Sequence, residues 1–138
     1  MKSRNFAIYC RMWIFKSFTR PDGTKLVAEW YSEQDGAVKA AFLTAMKLLR
    51  DMPPDGWDRP DVGQLRRECT GLFEIVLKVN SVQHRPIGYM SGHAEFTFLI
   101  FAIEKDRKLP LGTCETAKKR IEIIKADKER ASEFRIPK

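Results

Sequence analysis

Residues 69–108 read CTGLFEIVLKVNSVQHRPIGYMSGHAEFTFLIFAIEKDRK, and the rest of the chain can be placed around them. Three runs rich in β-branched and aromatic side chains are separated by short polar connections, the pattern of an antiparallel meander. Successive side chains of a strand point to opposite faces. In the first run Phe73, Ile75, Leu77 and Val79 therefore share one face, and Glu74, Val76 and Lys78 the other. In the third, Phe96, Phe98, Ile100 and Ala102 oppose Glu95, Thr97, Leu99 and Phe101. One face reads as core, while the other mixes charge with apolar groups. If Arg85, Ile87 and Tyr89 of the middle run turn to the mixed face, Lys78, Arg85 and Tyr89 gather on one small surface. The alternation permits that register without imposing it.

Upstream, residues 5–15 are apolar at nearly every position and predict a strand buried on much of both faces, with Cys10 as a small core residue. Arg20, Pro21, Asp22 and Gly23 mark a turn, after which residues 26–31 are expected to return as a second strand. Between 37 and 52, Val38, Ala41, Phe42, Ala45, Leu48, Leu49 and Met52 follow helical spacing, with Asp35 as a cap and Pro53 and Pro54 as a stop. Lys39, Lys47 and Arg50 lie off that stripe on a solvated face. Residues 55–63 form a polar loop in which Trp57 is either a lid on the core or an exposed stacking surface. Downstream, Lys105, Arg107 and Lys108 precede Leu109 and Pro110. Thr113 can cap a last helix over 113–131, whose narrow stripe is Cys114, Ala117, Ile121, Ile124 and Ala131.

These elements predict an α+β fold in which an antiparallel sheet, made by 5–15 and the meander, packs one face on helices at 37–52 and 113–131. A chain of 138 residues is most simply one domain, with N-terminal strands and helix over 1–62, sheet and final helix over 63–132, and a free tail at 133–138. Cys10, Cys69 and Cys114 form no close pair and are odd in number, which suggests neither a disulfide framework nor a zinc site. With no leader and no run near 18 apolar residues, the expectation is a soluble cytoplasmic protein away from the membrane. The formal charge of +7 favours a polyanion such as RNA, a ribosome surface or an acidic protein.

Glycine-rich phosphate loops, metal-ligand spacings and a Ser-His-Asp grouping are absent from the sequence. His84 and His93, both near expected turns, are surface imidazoles or proton carriers. RNA cleavage by a 2′-hydroxyl asks less of the protein, because the substrate brings its own nucleophile. The protein must position the backbone, ease the loss of one proton and stabilise charge growing on the phosphate. Arginine and lysine can do much of this.

The order GLFEIVLKV, HRPIGYM and FTFLIFAIEKDRKLP, followed by a basic helix with ETAKKR, resembles the second half of RelE/HigB-type toxins and their phage-derived relatives. The resemblance covers about half the chain and rests on order and spacing, since each motif alone is degenerate. It implies a RelE-like fold and the toxin of a type II toxin–antitoxin system. Such a protein is a ribosome-dependent mRNA endoribonuclease using a basic cluster, with no metal or other cofactor, restrained by a cognate antitoxin. By the same resemblance Arg85 would hold the scissile phosphate, Lys78 or Lys105 would move the proton or balance charge, and Tyr89 would stack on a base. Arg107, Lys108, Lys118 and Lys119 would contact the RNA backbone. The alternative is a non-catalytic phage or prophage-derived module that binds nucleic acid or protein on the same scaffold.

Overall fold

The computed structural model describes residues 13–136. Cys10 and most of the strand expected over 5–15 lie outside them. The strand β1 runs over Ile14–Phe18 and pairs in parallel with β6 (Glu95–Glu104), Phe15 opposite Phe96. The expected turn follows: Arg20 O accepts from Gly23 N at 2.8 Å, and Asp22 Oδ1 from Thr24 N at 2.9 Å.

The return strand expected at 26–31 is instead a helix, α1 (Leu26–Ser32). Leu26, Val27, Trp30 and Tyr31 recur one helical turn apart, so the helix turns all four to the core, Leu26 and Val27 buried and Trp30 and Tyr31 half-buried. The buried Ser17 hydroxyl accepts from Val27 N at 2.9 Å, supplying a partner to an amide in the first turn. The next helix, α2 (Gly36–Arg50), agrees with its sequence pattern. Asp35 accepts from Val38 N at 3.0 Å, and Val38, Phe42, Met46 and Leu49 are buried.

Among the described residues the protein is a mixed α+β fold of three helices and a mostly antiparallel seven-stranded sheet. The remaining strands are β2 (Val62–Gln64), β3 (Phe73–Ile75), β4 (Leu77–Val79), β5 (Val82–Gly92) and β7 (Ala131–Glu133). Their order is β2-β3-β5-β6-β1-β7, with β4 also on β5. The meander is present, and Phe73 and Phe98 share one face as expected.

Both faces of the sheet are covered, which corrects the expected one-sided packing. Val27 and the α2 residues Phe42, Met46 and Leu49 pack with Phe15, Ile75, Leu77, Phe96 and Phe98. The last helix, α3 (Thr113–Ala126), packs Cys114, Ala117 and Ile124 in a separate cluster with Leu72, Ile87 and Leu99. A bulge in β6 explains why simple alternation misassigned its second half. Ile87 pairs with Ile100 and Gly88 with Phe98, so Leu99 is an extra residue. Beyond it the faces exchange. Phe101 stacks on Phe98 at 5.6 Å and on Trp30 at 4.6 Å, while Ile100 and Ala102 join the α3 layer. Gly88 sits where the strands close tightly, since a Cβ there would lie 2.1 Å from Thr97 O.

Trp57 is the lid. It stacks on Trp13 at 4.0 Å, and its Nε1 donates to Leu49 O at 3.1 Å. The end of the chain departs from expectation. Gly112, with φ of 83°, occupies the cap position of α3, and the Thr113 hydroxyl donates back to Pro110 O at 2.6 Å. The helix stops at Ala126, and Ala131 belongs to β7, which pairs with β1. Phe134, expected in a free tail, stacks on Phe15 at 5.9 Å. Cys69 and Cys114 form a disulfide, which the 45-residue separation hid.

Candidate functional site

The mixed face of the meander lies under the start of α3, and its centre is a charge cluster. On β5, Gln83 and Arg85 share this face, opposite Glu104 and Ala102 of β6. On β3, Glu74 lies opposite Ile87, one step diagonally from Arg85. Arg85 is 7% exposed, and its guanidinium is turned to groups within the protein. Nη1 donates to His84 O at 3.0 Å, and Nη2 to Gln83 Oε1 at 2.9 Å and Glu104 Oε1 at 3.2 Å. Its Nε lies 3.5 Å from Glu74 Oε1, an ion pair in which neither atom completes a hydrogen bond. Arg85 is therefore not exposed to hold a phosphate, the role that the resemblance implied for it. It pairs with two carboxylates, Glu74 and Glu104.

Glu74 is 5% exposed. Burial pushes its carboxyl above the usual range and the like charge of Glu104 adds to the rise, against the pull of Arg85 and Arg59. The carboxylate opens on a cavity of about 570 Å³ also lined by Glu68, Glu104, Arg107 and Lys108, with the Cys69–Cys114 bridge and residues 109–113 along its wall.

The cations at the rim are placed by a tight turn after β6. Lys105 and Lys108 exchange both backbone hydrogen bonds, at 2.9 and 2.8 Å, around Asp106 and Arg107, whose φ values are 51° and 64°. Both central residues are left-handed, a two-residue turn that matches strand twist. Lys105, Arg107 and Lys108 are thereby held exposed beside the cavity. Lys78 is exposed on β4 opposite Gln83, in a row with Gln83 and Glu104 across three strands. Lys78, Arg85 and the 105–108 turn thus share one end of the sheet.

Tyr89 does not join them. It lies four residues beyond Arg85, about 13 Å along the strand, in the apolar layer under α3. Burial and the nearby Glu95 raise its phenol pKa. Lys118 and Lys119 stand on α3 among Glu68, Glu115 and Glu122, whose charge opposes a phosphate there. His84 is buried, 8% exposed, and faces the opposite layer with Leu77; burial lowers its pKa. His93 is exposed in the turn between β5 and β6, at the far end of the sheet.

Sequence reasoning missed Glu74 and Glu104 as site residues. The signal was present: an acid inside one apolar run and an arginine inside the next are both too costly to bury unless they meet. Among the described residues no group of three or more His, Cys, Asp or Glu side chains is placed to hold a metal ion. No helix there is long and apolar enough to cross a membrane. Compared with models of known protein families and with curated protein sequences, the chain matches none.

Proposed function

We propose that the chain is the toxin of a type II toxin–antitoxin pair, a ribosome-dependent endoribonuclease that cuts mRNA through attack of a 2′-hydroxyl on the adjacent phosphate. The observation that carries this reading is Glu74, a buried carboxylate with one oxygen that completes no hydrogen bond and a raised pKa, opening on a cavity rimmed by Arg107 and Lys108. Such a carboxylate is a better proton acceptor near neutral pH than an ordinary glutamate. Arg85 beside it holds the carboxylate in place, while the exposed Lys78, Lys105, Arg107 and Lys108 attract the RNA backbone and balance the negative charge that grows on the phosphate. A meander followed by a basic final helix supports a RelE-like arrangement, and with it an antitoxin as partner and the cytoplasm as the place of action.

The test is induced expression in a bacterial host with mapping of mRNA ends. Wild type should arrest growth and create new internal ends. Glu74→Gln, which keeps the shape, should lower cleavage by about 10²-fold or more at matched soluble level. No new ends with wild type would refute the reading, and full cleavage by Glu74→Gln would move the proton acceptor elsewhere. A second reading, a non-catalytic module that binds nucleic acid or protein, is favoured by the burial of Arg85 and its bonding to groups within the protein.

A further inference from the structure

The Cys69–Cys114 bridge joins the short 3-10 turn Arg67–Cys69 to the first turn of α3, and both cysteines line the cavity that holds Glu74 and Glu104. We propose that this bridge is a thiol–disulfide exchange site, with a dithiol protein or glutathione as co-reactant, and that its state sets how firmly α3 walls the cavity. The consequence for RNA cleavage rests on the catalytic reading above.

The packing separates what the bridge holds from what it does not. Of the fourteen residues of α3, only Thr113, Cys114, Ala117 and Ile124 are buried. The helix therefore covers the sheet through a narrow stripe, and the covalent tie at its start stands in for missing apolar area. The larger aromatic cluster of Trp13, Phe15, Phe42, Phe96 and Phe98 contains neither cysteine and no residue of α3. Reduction should loosen α3 and leave that cluster folded.

The chemistry has a direction. Cys69 is half-buried among exposed Arg67, Glu68, Thr70 and Gly71, whereas Cys114 is 7% exposed. An incoming thiolate reaches the Cys69 sulfur, forms a mixed disulfide there and expels Cys114 as a thiolate. Cys114 is the second residue of a 14-residue helix, where free amides and the helix dipole stabilise a thiolate. Arg107 and Lys108 across the cavity add to this, and Glu68 and Glu115 oppose it. A second thiol of the co-reactant then attacks the mixed disulfide and releases Cys69. Two electrons and two protons pass to the protein, giving two thiols, and the co-reactant ends as a disulfide. A bridge held in a reducing compartment meets such thiols continually.

The experiment takes the full chain through glutathione buffers of graded redox poise and reads three signals. Alkylation trapping with peptide mapping should show a 69–114 bridge that opens and re-forms, with Cys10 outside it. Hydrogen exchange of amides 113–117 should speed up by about tenfold or more on reduction, while tryptophan fluorescence stays native. Cys114→Ser should exchange at the reduced rate in every buffer. A bridge absent from the purified oxidised protein, equal exchange in both states, or loss of the native tryptophan signal on reduction would each overturn the proposal. Cleavage of mRNA bound to added ribosomes is measured on the same samples. Absence of cleavage in both states, with the exchange shift present, would sink the nuclease reading and leave the exchange site standing.

Discussion

Replacing Arg85 by alanine separates two pictures of this site. A solvated strand arginine could be truncated with a change within about 0.5 kcal/mol. The structure instead buries Arg85 against Glu74 and Glu104, with side-chain exposures of 8%, 7% and 22%. Truncation would leave Glu74 in the sheet with only the exposed Arg59, 3.8 Å away, as a counter-charge, and removing one partner of a buried pair costs about 3–5 kcal/mol. At about 4 °C per kcal/mol for a chain of this length, the melting temperature should fall by about 12–20 °C. The deficit should also depend on pH in a definite sense. The folded state already holds Glu74's proton more tightly than an ordinary glutamate, because burial raises its pKa. That contribution to stability is present below the ordinary glutamate value and is lost as pH rises through the folded value. Without Arg85 the pKa rises further, so the variant's deficit relative to wild type should be largest at neutral pH and shrink as pH falls. Thermal and urea melts of wild type and Arg85→Ala at several pH values measure this. A second variant, Glu74→Leu with Arg85→Met, should recover part of the loss, since it leaves neither member of the pair charged. A neutral-pH shift of 2 °C or less for Arg85→Ala, to the order of about 0.5 kcal/mol, would refute the buried pair.

Gly88→Ala should prevent native pairing of β5 with β6 or cost several kcal/mol, because its Cβ would meet Thr97 O at 2.1 Å and the Phe96 ring at 2.7 Å; soluble yield and circular dichroism check it. Asp35→Ala should cost about 1 kcal/mol by removing the acceptor for Val38 N at the start of α2, read from urea melts. RNA binding should weaken steeply with salt as phosphate contacts release counterions, and Lys105→Ala or Lys108→Ala should each reduce the slope by about one; a flat response in titrations of labelled RNA would indicate a protein partner.

Much of the fold could be read locally. The helix at 36–50 declared itself by one apolar stripe, an acidic cap and two prolines, all within a few turns of chain. The meander declared itself by β-branched and aromatic runs between polar turns. Residues 26–31 were misread because six residues with adjacent apolar pairs satisfy a strand and a helix alike; contacts with Ser17 and Phe42 choose between them. The candidate site was half legible. Lys78, Arg85 and the basic turn were visible as charges near one end of the strands.

What those charges do was decided only in three dimensions. A single extra residue at Leu99 reverses the facing of every later side chain in β6, and periodicity of two carries no mark of a bulge before it occurs. Pairing of Glu74 with Arg85 depends on β3 lying beside β5 in one register, and that register converts an exposed arginine into a buried counterion. The bridge between Cys69 and Cys114 depends on α3 folding back over the sheet, because covalent proximity across 45 residues follows from tertiary packing and leaves no local trace in the sequence.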